Sequence, residues 1–351
     1  MKMKSLMYKV LGLTLCSMAA PLAADSCNNW SNNCCEWSMC DGRFTVGADW
    51  LYWKTQSDFN VGSVISYEQA PNDPYTEVAY SDTKRLDFQY DSGFRVYAGY
   101  ELPCDCWDIG VSYVYLPSTS KKYNFVSASP FDEFGDEFAT SLTDLQEISF
   151  GERDEDVFFD DFAAKWDSNI NWIDVDLGRT ICLGECFKLR PHAGFRAAWM
   201  DQSYRTVGVV RSEGENEDTI YANKLKQKFN GYGIQGGIWG DWEIGCGFSF
   251  LGHFGGSLLA SKYKITEDSL IIVEGSPDTF YPGQGRDSFW TATPTVDYFL
   301  GLRYADCFCD MIVSAHVGWE QHLFFNLNRL DGHCNGNLST QGLTLGLDVG
   351  F

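Results

Sequence analysis

Long stretches in which every second residue is apolar constrain this chain most. In "RLDFQYDSGFRVYAGYEL", Leu86, Phe88, Tyr90, Phe94, Val96, Ala98 and Tyr100 share one parity, while Asp87, Gln89, Asp91, Arg95 and Glu101 share the other. Successive side chains of a strand point to opposite faces, so a period of two describes a strand with one apolar and one polar face. The same pattern runs through "RFTVGADWLYWKTQ", "WDIGVSYVYL" and the stretches 187–205 and 290–305. It also runs through the last residues, "QGLTLGLDVGF", where Leu343, Leu345, Leu347, Val349 and Phe351 alternate with Thr344, Gly346, Asp348 and Gly350. Further strands are expected around 166–181, 227–240, 242–262 and 311–325.

A half-buried strand of a secreted sandwich would alternate too. Three features favour an antiparallel transmembrane β-barrel. The strands run about ten residues or longer, against roughly five or six in soluble sheets. Their apolar faces carry Trp, Tyr and Phe near the ends, as interfacial girdles require. The connections alternate between short ("PCDC", "LGE", "GD", "ADCFCD") and long (58–84, 117–164, 206–226, 263–289, 326–339). Short periplasmic turns and long extracellular loops are the barrel pattern. The reading gives ten strands, and twelve or more if a long loop hides a hairpin. In hydrocarbon every backbone polar group needs a partner, so the terminal strand must pair with the first. Outer-membrane lipid and lipopolysaccharide are the expected surroundings. The alternating tail, Leu343 to Phe351, looks like the C-terminal signal read by the outer-membrane insertion machinery.

The first two dozen residues read as an address. Lys2, Lys4 and Lys9 precede a short apolar stretch and small residues suited to cleavage after Ala24. Leu15 before Cys16 argues against lipoprotein processing. Three divisions result: a signal peptide at 1–24, a Cys-rich periplasmic segment at 25–42 and a barrel at 43–351. Without the three leader lysines, 23 basic residues face 48 acidic ones. Such a balance argues against nucleic-acid binding, which needs a basic surface. No segment after the leader is apolar enough for a membrane-spanning helix.

Twelve cysteines follow the leader. Cys27, Cys34, Cys35 and Cys40 cluster early, Cys104/Cys106, Cys182/Cys186 and Cys307/Cys309 fall at the short turns, and Cys246 and Cys334 stand alone. Secretion exposes them to an oxidising compartment. Their spacings fit zinc poorly. Cys182 and Cys186 flank "LGE" and could close locally. Cys104, Cys106, Cys307 and Cys309 could bond the N-terminal cluster or another chain, linking a homo-oligomer or neighbouring envelope proteins.

On the polar parity lie Asp49, Asp91, Arg95, Asp174, Asp176, Arg190, His192, Arg196, Asp297, Arg303, His316 and Glu320. These are the expected lumen-lining residues, because Arg on the lipid face costs about 2–4 kcal/mol at mid-bilayer. The arginines either form a cationic wall that steers anions or pair with carboxylates across the lumen and brace the barrel. His192 and His316 lack a third ligand at metal spacing. "GYGIQG" (231–236) matches a dinucleotide fingerprint, but strand and turn follow it where a helix is needed. No catalytic set, cofactor site or metal site is discernible. Twelve acids crowd residues 131–161 against Arg153. They read as a solvated outer loop, or as a surface for divalent ions or a basic host partner.

Several blocks together resemble the pore-forming major outer-membrane proteins of Legionella and chlamydia-related bacteria. These are "GADWLYWKTQSD" after a Cys-rich N-terminus, "GFRVYAGYEL", "NWIDVDLGR", "LRPHAGFRAAWMDQSY", the run 228–261, "FLGLRY", "GWEQHLFF" and the terminal "LGLDVGF". The resemblance implies an integral outer-membrane barrel, a porin-like role for small hydrophilic solutes or ions, and disulfide cross-linking in the envelope. The alternative is a mainly structural protein or an adhesin. Ten strands would give a narrow or gated pore, because about eight leave an interior filled by side chains and 16–18 leave an aqueous channel.

Overall fold

The computed structural model describes residues 42–58, 62–70, 73–103, 106–126, 138–141, 158–159, 161–183, 186–210, 218–273, 280–308, 311–329 and 336–351. Ten antiparallel strands close a barrel: β1 (Arg43–Ser57), β2 (Tyr90–Glu101), β3 (Trp107–Thr119), β4 (Asp161–Arg179), β5 (Phe187–Val210), β6 (Thr219–Gly245), β7 (Phe248–Val273), β8 (Phe280–Phe308), β9 (Met311–Asn328) and β10 (Gly336–Gly350). Each strand pairs with its sequence neighbour, and β10 pairs with β1 from Thr45↔Gly350 to Ser57↔Leu338. Backbone bonds of 2.9 and 2.8 Å between Phe44 and Phe351 lock the seam at the chain's last residue. Closure leaves no open edge among these strands, which is what hydrocarbon demands.

The long loops do hide a hairpin, yet the barrel keeps ten strands. Gly62–Ala70 and Asp73–Lys84 pair in a separate four-stranded sheet with Phe138–Ser141 and Phe158–Phe159. Tyr123–Val126 adds to β4 and Ile181–Cys182 to β5.

Strands β5 to β8 run farther than the alternation suggests. Connections expected at 206–226 and 263–289 are largely strand: β5 reaches Val210, β6 starts at Thr219, β7 reaches Val273 and β8 starts at Phe280. About 9–11 residues suffice to cross a bilayer. The remainder stands beyond it, and there the pattern inverts. In β6 the apolar Leu225 and Phe229 are buried inside while Lys224, Lys226 and Lys228 point out. Nearer the short-turn end of the same strand, Tyr232, Ile234 and Ile238 face outward. A membrane barrel is apolar outside; above the membrane it must be apolar inside, as any water-exposed domain is.

An apolar core therefore fills the long-loop half of the interior. Leu51, Trp53, Val114, Leu116, Trp166, Ile170, Trp172, Met200, Phe229, Leu259, Tyr263, Phe324 and Leu338 all belong to it. Leu86 and Phe88 join this core as well. Alternation alone puts them on the lipid-facing parity of the second strand, but that strand begins only at Tyr90, and the segment before it turns inward. The lipid face in the other half is continuous: Phe195, Ile234, Phe254, Leu300 and Leu347 each expose more than half of their surface.

One cysteine expectation is corrected. Cys182 lies opposite Lys188 in the β-ladder, not opposite Cys186, which sits inside the turn. No local bridge forms there, and Cys186 is a thiol rather than a half-cystine. Cys246 and Cys307 are disulfide-bonded. Cys27, Cys34, Cys35, Cys40, Cys104 and Cys309 lie outside the described residues, as do the leader and most of the acidic run at 131–161.

Candidate functional site

Alternation delivers an ionisable residue to the interior from nearly every strand, and at mid-lumen these residues meet. Asp49 of β1 lies opposite Arg95 of β2 in the ladder, and their side chains pair at 3.1 Å. Arg95 reaches past β1 and β10 to Glu320 of β9 at 2.5 Å. Glu320 accepts from the Thr344 hydroxyl at 2.9 Å and contacts His322 Nε2 at 2.9 Å. The other ring nitrogen of His322 lies 2.7 Å from Asp297 of β8. Asp297 pairs with Arg196 of β5 at 2.6 Å, and Arg196 forks onto both oxygens of Asp174 on β4 at 2.7 and 2.9 Å. The chain Asp49–Arg95–Glu320–His322–Asp297–Arg196–Asp174 thus crosses the lumen.

Three physical features hold this relay in place. Each cation sits between two carboxylates, so charges nearly alternate along it. A buried ion pair is tolerated only when such geometry and further hydrogen bonds offset desolvation. Two indoles cover it on the long-loop side: Arg95 lies 5.8 Å above the Trp53 ring and Arg196 5.9 Å above that of Trp172. His322 contacts both rings, at centroid distances of 5.0 and 4.9 Å. Glycine supplies room beside it. A Cβ on Gly346 would collide with the Asp49 carboxylate and the His316 ring, which approach each other to 3.3 Å.

Trp172 also packs on Phe324 at 6.1 Å. Strands β4 and β9 are five apart in a ring of ten, so this contact spans the full diameter.

A second charged tier lies towards the short turns. Arg190 pairs with Asp108 and with Asp176 (2.5 Å), Arg303 with Asp241, and Lys188 with Glu243 at 2.6 Å. His192 faces His253 with 3.1 Å between their Nε2 atoms, and Trp239 stacks on His253 at 4.5 Å. His316 extends the upper tier to Asp348, at 3.7 Å. Of the residues expected to line the lumen, the structure brings eleven into these two tiers. Asp91 stays apart near the long-loop end of β2, where it accepts from the Thr119 amide at 2.8 Å.

The sequence reading missed Asp108, Asp241, His253, His322 and Asp348. Parity carried the signal for His322, two residues after Glu320, and for Asp108, opposite in phase to Trp107 and Ile109. The arginines brace rather than line an open cationic wall. Among the described residues no group of three or more His, Cys, Asp or Glu could hold a metal ion.

The family model of the Legionella pneumophila major outer membrane protein precursor matches residues 38–351. The chain belongs to this family. It is an outer-membrane protein that crosses the bilayer many times as a β-barrel. No curated protein matches the chain. Similar solved structures include the outer membrane protease OmpT from Escherichia coli, at 10% identity and a TM-score of 0.42 over 88% of this chain and 96% of that one. A major outer membrane protein from Thermus thermophilus matches at 14% identity and a TM-score of 0.32, over 88% and 99% of the two chains.

Proposed function

We propose that the chain is a narrow, gated pore for small hydrophilic solutes or ions, held shut at mid-lumen by its own side chains. The observation that carries this reading is the cross-lumen relay from Asp49 to Asp174. Filling a barrel does not need ionised groups: apolar and uncharged polar side chains fill the long-loop half. Ionised groups in the other half are costly to bury and are worth keeping where water and ions must at times pass. Opening would require Arg95 to leave Glu320, Arg196 to leave Asp297, and Trp172 to part from Phe324. Swelling of proteoliposomes in isotonic solutions of small sugars and salts tests the pore. Swelling that depends on the protein and falls off with solute size supports it, and vesicles indistinguishable from empty ones refute it.

A second reading, a structural envelope protein, is favoured by the cysteines at the short turns. Cys246 and Cys307 are disulfide-bonded, and Cys186 is an exposed thiol at the same end. Non-reducing gels of native membranes decide it: a ladder that collapses on reduction supports cross-linking, and a purely monomeric band excludes it. We read neither version as an enzyme, because the inward carboxylates and histidines are engaged in bracing contacts. Hydrolysis of peptide substrates by the purified barrel, abolished by a single inward substitution, would reverse that.

A further inference from the structure

We infer that the outward face of β5 to β8, just above the lipid belt, is a docking surface for the phosphorylated glucosamine headgroup of lipid A. In the outward rows of this face the ladder sets Arg205 opposite Lys224, Lys226 beside Thr266 and Arg286, Lys228 opposite Lys264, and Asn230 opposite Lys262. Seven cations on four adjacent strands stand out on a chain of 26 basic and 48 acidic residues.

Acids on the same face do not neutralise them. Lys226 reaches Asp268 at 3.7 Å and Arg205 reaches Asp167 at 3.9 Å, while Asp201 is exposed beside Lys228. Among the described residues, Lys228, Lys262, Lys264 and Arg286 have no carboxylate within salt-bridge distance. Lys228 and Lys264 are direct cross-strand partners. Like charges so placed destabilise a sheet unless an anion lies between them. Lys262 lies 5.7 Å from the Trp290 ring, which leaves its ammonium at the membrane edge rather than reaching out into solvent.

Depth identifies the anion. The row below Lys262 is Ala260 with Tyr232 opposite, and the next holds Leu258 and Ile234, both more than half exposed to lipid. Trp199, Tyr232 and Trp290 mark the interface at this level, as aromatic girdles do. The cations thus occupy the four rows directly above the Ala260/Tyr232 row, on the long-loop side. A phosphate tethered to acyl chains meets both features at once: the ammonium groups bind the phosphates, and the apolar rows below carry the chains. A free phosphate would use only the first, and a sulfated polysaccharide would not need the second.

Binding to the full-length protein in detergent tests this, with bisphosphorylated lipid A as probe and dephosphorylated lipid A, inorganic phosphate and heparin as competitors. The barrel is expected to prefer the bisphosphorylated form by roughly tenfold or more, with affinity falling as salt rises. Lys228→Gln/Lys262→Gln/Lys264→Gln/Arg286→Gln should abolish the preference, while Lys121→Gln/Lys122→Gln elsewhere on the extracellular side should not. Gel mobility of unheated samples verifies that each variant is folded, and Lys264→Glu alone provides a milder perturbation that should weaken binding. Unchanged preference in the fourfold variant and in Lys264→Glu overturns the proposal. So does equal affinity for dephosphorylated lipid A, full displacement by equimolar inorganic phosphate, or heparin binding without lipid A binding.

Discussion

Arg196 illustrates how much depends on one guanidinium inside this barrel. It is 5% exposed and satisfies Asp174 and Asp297 together, joining β4, β5 and β8. Removing it strips Asp174 of its partner and leaves Asp297 with His322 alone, and breaking a buried pair typically costs about 3–5 kcal/mol. Arg196→Ala should therefore lower the urea midpoint of unfolding markedly. Arg196→Lys should recover only part of the loss, because an ammonium cannot fork onto both oxygens of Asp174. Gly346→Val should be worse than its position on a regular strand suggests, since its side chain would occupy the space of Asp49 and His316. Loss of the compact, heat-modifiable gel band would register that defect. At this scale the sequence identified which residues turn inward, because parity is a local property. Their partners were not legible: Arg196 and Asp297 lie 101 positions apart, and their meeting depends on barrel curvature.

At the level of the strand, the alternation was readable wherever the outside is lipid. It became misleading where the outside is water, because the same strand continues with its apolar residues switched to the other face. In β6 the switch falls between Phe229, which is buried, and Tyr232, which faces lipid. A substitution should therefore have opposite consequences on the two sides of it. Leu347→Arg, on the lipid face of β10, should cost about 2–4 kcal/mol if it sits near mid-bilayer and correspondingly less towards the interface. Lys228→Leu, above the switch, should change stability little. Parallel unfolding titrations in lipid vesicles measure both. The last strand makes a second demand. Phe351 exchanges two backbone hydrogen bonds with Phe44 and stacks on its ring at 6.3 Å. Deleting Phe351 should slow insertion and leave the seam loose, seen as delayed appearance of the folded band in a time course of assembly into vesicles. Reading the tail as a closing strand needed only its period and the rule that hydrocarbon tolerates no open edge.

For the molecule as a whole, closure and filling are separate matters. Ten strands with short turns at one end followed from the pattern of connections, and the barrel has that number. How far the interior is filled was only bracketed by the strand count. The filling depends on whether inward side chains from opposite walls touch, and they do: Trp172 meets Phe324 across the diameter, with the ionic relay directly beneath. In the proposed gated pore, these contacts hold the channel closed. Planar-bilayer recording of the purified barrel, beside Trp172→Ala/Phe324→Ala and Arg95→Ala/Glu320→Ala, tests it most directly. Small, infrequent conductance steps are expected for the natural chain and larger, longer-lived ones for both double variants. A natural chain that conducts steadily at the level of the variants, or variants as silent as an empty bilayer, would contradict it.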